Sequence, residues 1–340
     1  MQSTYLLQQF DQEEIKMISI KKIMMVLAVV FIVAISIPVM GLSADYPSKP
    51  VKSIIPWGVG GGTDMLVRSM MSFMPSYFPR PMVVINKPGG GGTIGTTFAL
   101  NAKPDGYTIC INGWGPFVTQ PSLKKLQYSE KDYIPVIQLS NIPRILSAYP
   151  TMPYNNMKEF MAYAKANPGK VKAGVAAVGT TGHLAMVQLE QDFGVKFTQI
   201  PQGGGGPQKV ALLGGHVDAA PLVASEAGPF IKSKQLKALG IMDSKRMADL
   251  PDIPTLAEQG YPIESYVAFH VAVPTGTPPD RIKVLHDAFR KVLDDKGFQK
   301  IAKKLNIRID YEDGEQSRAK LEKFRKLYAE IVKELGIEKK

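Results

Sequence analysis

The chain has 340 residues, a net charge of +11, one cysteine and four histidines. The single cysteine, Cys110, excludes a disulfide within one chain, and the isolated histidines show no zinc-ligand spacing, so we expect no metal site. Many basic residues lie between residues 300 and 326, where they alternate with glutamate at helical spacing. That pattern predicts a solvated helix face and argues against nucleic-acid binding.

Residues 1–44 have the pattern of a secretory signal peptide. A lysine pair precedes an apolar run over residues 23–39, and Ala44 provides a small residue at the expected cleavage position. We therefore expect export and cleavage after Ala44, with Met17 as the natural start and the preceding residues as an extension of the reading frame. An uncleaved membrane anchor is the alternative, because an apolar run of about 17 residues is borderline for spanning.

Beyond the signal, β-rich runs alternate with amphipathic helical runs, which predicts an α/β fold with a largely parallel sheet. The predicted strands are 51–57, 81–86, 107–112, 134–140, 145–149, 172–177, 197–200, 217–222, 236–241 and 265–273. The predicted helices are 64–77, 93–101, 156–166, 181–193, 207–213, 224–233, 280–294 and 316–335. A mature chain of about 300 residues predicts two domains.

Four glycine-rich segments, most of them between a predicted strand and a predicted helix, are the most informative feature of the chain. They are residues 58–64, 89–93, 179–182 and 203–207. Each brings a threonine, aspartate or proline to a position that suits the start of a helix. A helix N-terminus exposes unpaired N–H groups, and glycine allows a ligand to approach the backbone closely. Several such ends around one crevice predict an anion-binding site built mainly from main-chain donors.

The glycine segments do not fit the common nucleotide-binding motifs. Thr63 stands where a dinucleotide fingerprint has its last glycine, and the lysine of a phosphate-binding loop is missing, so we expect no cofactor. No serine-hydrolase elbow, catalytic triad or carboxylate pair is indicated, so the sequence predicts no enzyme. His183 is equally consistent with a site residue and a structural histidine, and Trp114 is interpreted as partly lining a crevice.

Several short motifs follow one another in a recognisable order along the chain. They lie at residues 46–51, 56, 60–64, 86–89, 103–108, 166–170, 183–185, 213–218, 250–255 and 274–278. Together they closely resemble the tripartite tricarboxylate transporter solute-binding proteins, the Bug family of periplasmic receptors. The resemblance begins near Asp45 and covers nearly the whole mature chain.

The resemblance implies an α/β fold of the type II-like periplasmic binding protein kind, with two lobes joined by two crossover strands and a ligand cleft between them. It places lobe 1 at residues 45–143 plus 269–340 and lobe 2 at 144–268. It implies a periplasmic, monomeric receptor that captures a small organic acid for the membrane permease subunits of a tripartite transporter. In such receptors, backbone amides, hydroxyls and ordered water hold the carboxylate, without a strong ion pair.

Carried onto this chain, the resemblance and the glycine segments give a set of candidate ligand-binding residues. They are Pro56, Gly60, Gly61, Gly62, Thr63, Asp64, Trp114, Gly179, Thr180, Thr181, Gly182, His183, Gly203, Gly204 and Phe269.

Three departures from the family pattern indicate that the ligand cannot be copied from a relative. Gln202 stands where a tyrosine is usual, Phe269 keeps one ring of an aromatic pair, and His270 replaces a small residue. Two other classes of function stay open. They are an exported enzyme that acts on a carboxylated substrate, and a sensor that reports the same ligand to a partner kinase.

Overall fold

The computed structural model describes residues 46–338, and the predicted signal peptide with its cleavage site lies outside them. The chain from Pro47 onwards forms one compact unit. Within the described residues, no helix has both the length and the apolar character needed to cross a membrane.

The secondary structure follows the predicted alternation of strands and helices. The strands are β1 (Val51–Ile55), β2 (Met82–Asn86), β3 (Thr108–Gly113), β4 (Tyr133–Ala148), β5 (Lys172–Val175), β6 (Thr198–Pro201), β7 (Ala219–Val223), β8 (Lys237–Ile241), β9 (Tyr266–Pro274) and β10 (Ile309–Asp313). The helices are α1 (Gly62–Met71), α2 (Thr93–Leu100), α3 (Gly115–Val118), α4 (Gln120–Leu123), α5 (Met157–Ala166), α6 (Thr181–Phe193), α7 (Gly205–Leu213), α8 (Ala224–Lys232), α9 (Pro279–Asp294), α10 (Lys296–Lys304) and α11 (Gly314–Glu334).

The prediction of two strands at 134–140 and 145–149 was wrong, because β4 is one strand of 16 residues. Strands β9 and β10 pair with the first part of β4, and β7 and β8 pair with its last part, so hydrogen bonds on both edges keep it extended. Helices α3, α4 and α10 and strand β10 were not predicted from the sequence.

Strand β4 runs through two groups of strands. The first sheet has the order β2-β1-β3-β9-β4, with β1 parallel to β2 and β3 and with β9 antiparallel to β3 and β4. The second sheet continues from β4 through β7 and β5 to β6, where the β5 pairings are parallel. The partner of β4 changes between Pro143, which pairs with Tyr266, and Arg144, which pairs with Val223.

Separate apolar clusters support the two sheets. The cluster on the second sheet includes Tyr154, Phe160 and Leu189 from the strands, helices and loops around it. The cluster on the first sheet includes Trp114 and Phe117, and Leu321 of α11 packs into it. Each sheet therefore has a core of its own. Burial of each apolar side chain of this size stabilises the fold by roughly 1.5–3 kcal/mol.

Candidate ligand-binding cleft

Three of the four glycine segments meet at one cavity, which encloses about 530 Å³ of space free of protein atoms, including its open mouth. Seven residues of the predicted site line it: Gly61, Gly62, Thr63, Trp114, Thr180, Thr181 and Phe269. Nine further lining residues were not in the predicted site: Trp57, Gly113, Gly115, Arg144, Ala176, Gly205, Val223, Glu226 and Val267. Among the described residues, the second glycine segment, 89–93, contributes nothing to this lining.

The first glycine segment is held in shape by a buried aspartate. Asp64 accepts hydrogen bonds from the Gly60 backbone N–H at 2.9 Å, from Arg68 Nε at 2.9 Å and from Asn86 Nδ2 at 3.0 Å. Burial raises the pKa of Asp64, but these hydrogen bonds lower it, and the net pKa lies below the ordinary value. Gly60 and Asp64 therefore stabilise the shape of the segment and do not line the cavity. Pro56 is buried and does not line the cavity either.

The third glycine segment forms the start of α6. Thr180 is its N-cap residue, and the threonine Oγ1 accepts from the His183 backbone N–H at 3.4 Å. His183 Nδ1 in turn accepts from the Gly179 N–H at 3.3 Å, and burial lowers the pKa of His183. His183 and Gly179 thus close the turn, while Thr180 and Thr181 reach the cavity.

Threonine or aspartate was predicted to cap the helices that follow the glycine segments, but a side-chain cap occurs at one of them. Helix α1 has Gly61 at its N-cap, α2 has Gly92 and α7 has Gly204, and none of these ends has a side-chain cap. Glycine at these positions leaves the first N–H groups of each helix without a local side-chain acceptor. Of the four segments, only the third has the predicted threonine cap, at Thr180.

The fourth glycine segment touches the first one backbone to backbone. A Cβ atom on Gly206 would overlap the Val59 carbonyl oxygen and lie 3.2 Å from the Gly61 nitrogen. Lys209 Nζ donates to the Gly60 carbonyl oxygen at 3.1 Å. Gly205 of this segment lines the cavity, whereas the predicted site residues Gly203 and Gly204 do not.

Two buried residues of opposite charge line the cavity and were missed in the sequence. Arg144 is 6% exposed and Glu226 is 1% exposed. Glu226 Oε1 accepts from the Gly62 N–H at 2.5 Å, and its Oε2 accepts from the Val223 N–H at 3.2 Å. Burial raises the pKa of Glu226 and lowers that of Arg144, while the positive charge of Arg144 opposes the shift at Glu226. The Glu226 carboxylate is therefore the hydrogen-bond acceptor for the first backbone N–H group of α1.

The large aromatic residue of the predicted site is fixed by a histidine behind it. Trp114 lines the cavity, and its Nε1 donates to His270 Nε2 at 2.6 Å. Because His270 Nε2 accepts, its Nδ1 carries the proton and donates to Ser317 Oγ, 2.7 Å away. His270 does not line the cavity, so its influence on the pocket is exerted through the position of Trp114.

His270 should make the stability of the protein depend on pH. Burial, with a smaller contribution from Lys320, lowers the pKa of His270 from 6.5 to about 3. Below pH 6.5 the unfolded chain binds a proton that the folded protein does not, so unfolding at pH 5 should need about 2 kcal/mol less than at pH 7 from this group. The unfolding free energy of His270→Gln, measured in urea, should lack this pH-dependent contribution. The control His216→Gln, at an exposed position, should retain it. Equal pH dependence in the wild type and His270→Gln would contradict this prediction.

Comparison with known proteins identifies the family. The model of the tripartite tricarboxylate transporter family receptors matches residues 66–337. The chain belongs to this family. The receptor is 32% identical over 305 residues to a Cupriavidus necator protein named UPF0065 protein in gbd 5′ region, covering 89% of this chain and 93% of the relative. It is 34% identical over 262 residues to protein BugT of Bordetella pertussis, covering 75% of this chain and 80% of BugT.

Solved structures of similar proteins share the fold of the receptor. The periplasmic binding protein BugD superposes with a TM-score of 0.83 at 34% identity, over 87% of this chain and 100% of BugD. A protein of R. palustris solved with adipate superposes with a TM-score of 0.83 at 26% identity, over 86% of this chain and 99% of that protein. MatC of Rhodopseudomonas palustris, with bound malate, superposes with a TM-score of 0.80 at 25% identity, over 84% of this chain and 100% of MatC. The predicted fold class and the family resemblance are confirmed.

Proposed function

We propose that the receptor is exported to the periplasm, captures a small organic carboxylate in the cleft and delivers it to the membrane permease of a tripartite transporter. The observation that carries this proposal is the single cavity at which the N-terminal ends of α1, α6 and α7 meet. The N–H groups at helix N-termini are donors that suit a carboxylate. Adipate and malate in two structural neighbours support a ligand of the same chemical class.

The lobe boundaries belong to the same proposal. We place lobe 1 at 45–143 plus 269–340 and lobe 2 at 144–268, with residues 1–44 removed on export. The change of β4 partners between Pro143 and Arg144 supports the first boundary. Closing of two such lobes around the ligand would bury it and create the form that the permease recognises.

A ligand screen distinguishes this receptor from an exported enzyme. The mature protein is tested by thermal shift against mono-, di- and tricarboxylates and aromatic acids. A ligand present at 100 times its Kd stabilises the folded state by about 2.7 kcal/mol, which is easily measured. We expect at least one acid to raise the melting temperature and to be recovered unchanged by mass spectrometry. Conversion of the acid would favour an enzyme, and the absence of any hit would contradict the proposal.

Two threonines test the position of the site. Thr63 and Thr181 lie on opposite glycine segments and both line the cavity. The double variant Thr63→Val with Thr181→Val should weaken binding of the best acid at least tenfold. It removes the Thr63 hydroxyl and also the Thr181 hydroxyl, which donates to the Tyr266 carbonyl oxygen and accepts from Arg144, and each such hydrogen bond is worth about 1 kcal/mol. Titration calorimetry measures this, with exposed Thr151→Val as the control. Unchanged affinity in a folded double variant would show that the ligand binds elsewhere.

A further inference from the structure

The guanidinium of Arg144 lines the cleft with few partners of its own. Its Nη1 donates to the Pro221 carbonyl oxygen at 3.0 Å, and its Nη2 is 3.5 Å from Thr181 Oγ1. Its Nε is buried and has no hydrogen-bond partner. Among the side chains of residues 46–338, no carboxylate lies within 4 Å of this guanidinium. Glu226 attracts this cation without an ion-pair contact, so the spare donors of Arg144 can still bind an anion.

The charge in the cleft is divided between its two sides. On the α6 side, the guanidinium of Arg144 packs against Gly182, where an added Cβ atom would lie 3.0 Å from Nε. This places the cation beside the helix N-terminus, and both favour a negative group. On the α1 side, both oxygens of Glu226 accept main-chain N–H groups, from Gly62 and Val223, and these hydrogen bonds favour its negatively charged form. An incoming carboxylate is therefore attracted to the α6 side and repelled from the α1 side.

We propose, on the basis of the proposed function, that Arg144 binds the ligand carboxylate at the N-terminus of α6 and that Glu226 limits the ligand to one carboxylate. Arg144 can present a pair of N–H donors to the two carboxylate oxygens, as guanidinium groups do in bidentate ion pairs. A second carboxylate towards α1 would lie near buried Glu226, where like charges repel strongly. The rest of the ligand contacts apolar groups of Trp57, Val267 and Phe269. The favoured ligands are monocarboxylic acids with an apolar body.

Arginine variants test the carboxylate anchor. The acid that binds best in the screen is titrated calorimetrically into wild type, Arg144→Gln, Arg144→Lys and the control Arg290→Gln, whose guanidinium pairs with Asp294 on the surface of α9. We expect a loss of at least about 30-fold for Arg144→Gln, because truncation of one partner leaves a buried charge unpaired. Arg144→Lys should lose about tenfold in affinity because lysine lacks the planar guanidinium group with its several N–H donors. Affinities within threefold of wild type in both folded Arg144 variants would overturn the anchor.

Ligand pairs test the limit to one carboxylate and need no Arg144 variant to fold. The pairs are butanoate with succinate, hexanoate with adipate, and benzoate with terephthalate, each differing by one distal carboxylate. In wild type we expect the best binder of the panel to be a monocarboxylate and to bind at least about tenfold better than its partner. Glu226→Gln should reduce that preference. A di- or tricarboxylate as best binder overturns this inference but leaves the proposed function intact, whereas no binding by any acid contradicts both.

Discussion

Gly206→Ala should abolish ligand binding while the protein still folds. Gly206 lies in the first turn of α7, and an added Cβ atom would overlap the Val59 carbonyl oxygen and lie 3.3 Å from the Gly60 carbonyl carbon. These are backbone atoms of the first glycine segment, so they cannot turn aside as a side chain could. The helix itself tolerates alanine better than glycine. We therefore expect the cleft to stay open and affinity for the best acid to fall at least 100-fold.

Calorimetry measures the affinity of Gly206→Ala, and small-angle X-ray scattering shows whether ligand makes the molecule more compact. Gly58→Ala is the matched control on the facing segment, because its Cβ atom would meet only Pro207 ring atoms at 3.7 Å and beyond. That distance is an ordinary van der Waals contact, so the control should bind within threefold of wild type. Wild-type affinity in Gly206→Ala would show that the contact between the two glycine segments is not needed for binding.

Asp64→Asn should destabilise the folded protein by about 2–4 kcal/mol at pH 7. The side chain of Asp64 is 3% exposed and accepts from the Gly60 N–H, from Arg68 and from Asn86. An asparagine amide would place N–H donors against at least one of these donors and would leave Arg68 without its charge partner. The first glycine segment should then lose its shape, and ligand affinity should fall together with stability.

The effect of Asp64→Asn has a defined pH dependence. Because the pKa of Asp64 in the folded protein lies below its ordinary value of 3.8, its contribution is present above that value and is lost as pH falls through the folded-state pKa. Urea unfolding at pH 7 and pH 3 should therefore show a larger difference between variant and wild type at pH 7. The control Asp287→Asn breaks an exposed pair with Lys283 and should cost no more than about 0.5 kcal/mol. Equal stability of Asp64→Asn and wild type at pH 7 would contradict this role of Asp64.

The local elements and the family were accessible from the sequence. Strand and helix periods are local properties, so β1, α6 and α9 were predicted close to their observed positions. The glycine segments indicated turns that lead into helix N-termini, and the motif order indicated the family. Helices α3 and α4 were missed because runs of four residues carry too little periodicity.

The cleft was only partly predictable because its charges come together through the fold. Arg144 lies at the change of partner strands in β4, and Glu226 lies in the first turn of α8, where an acidic residue is ordinary. Nothing in either local pattern indicates burial or a shared cavity. His270 illustrates the same limit, since its contact with Trp114 joins residues 156 positions apart.

The sequence alone determined the alternation of strands and helices, the glycine turns and the family, because these depend on residues close together in the chain. Only the tertiary structure decided which glycine segments share the cleft and that Glu226 occupies the α1 amide, leaving buried Arg144 beside α6. The reason is that burial removes water from groups that are distant in sequence. Desolvation and pairing, which set the charge of the cleft, exist only after the sheets have formed.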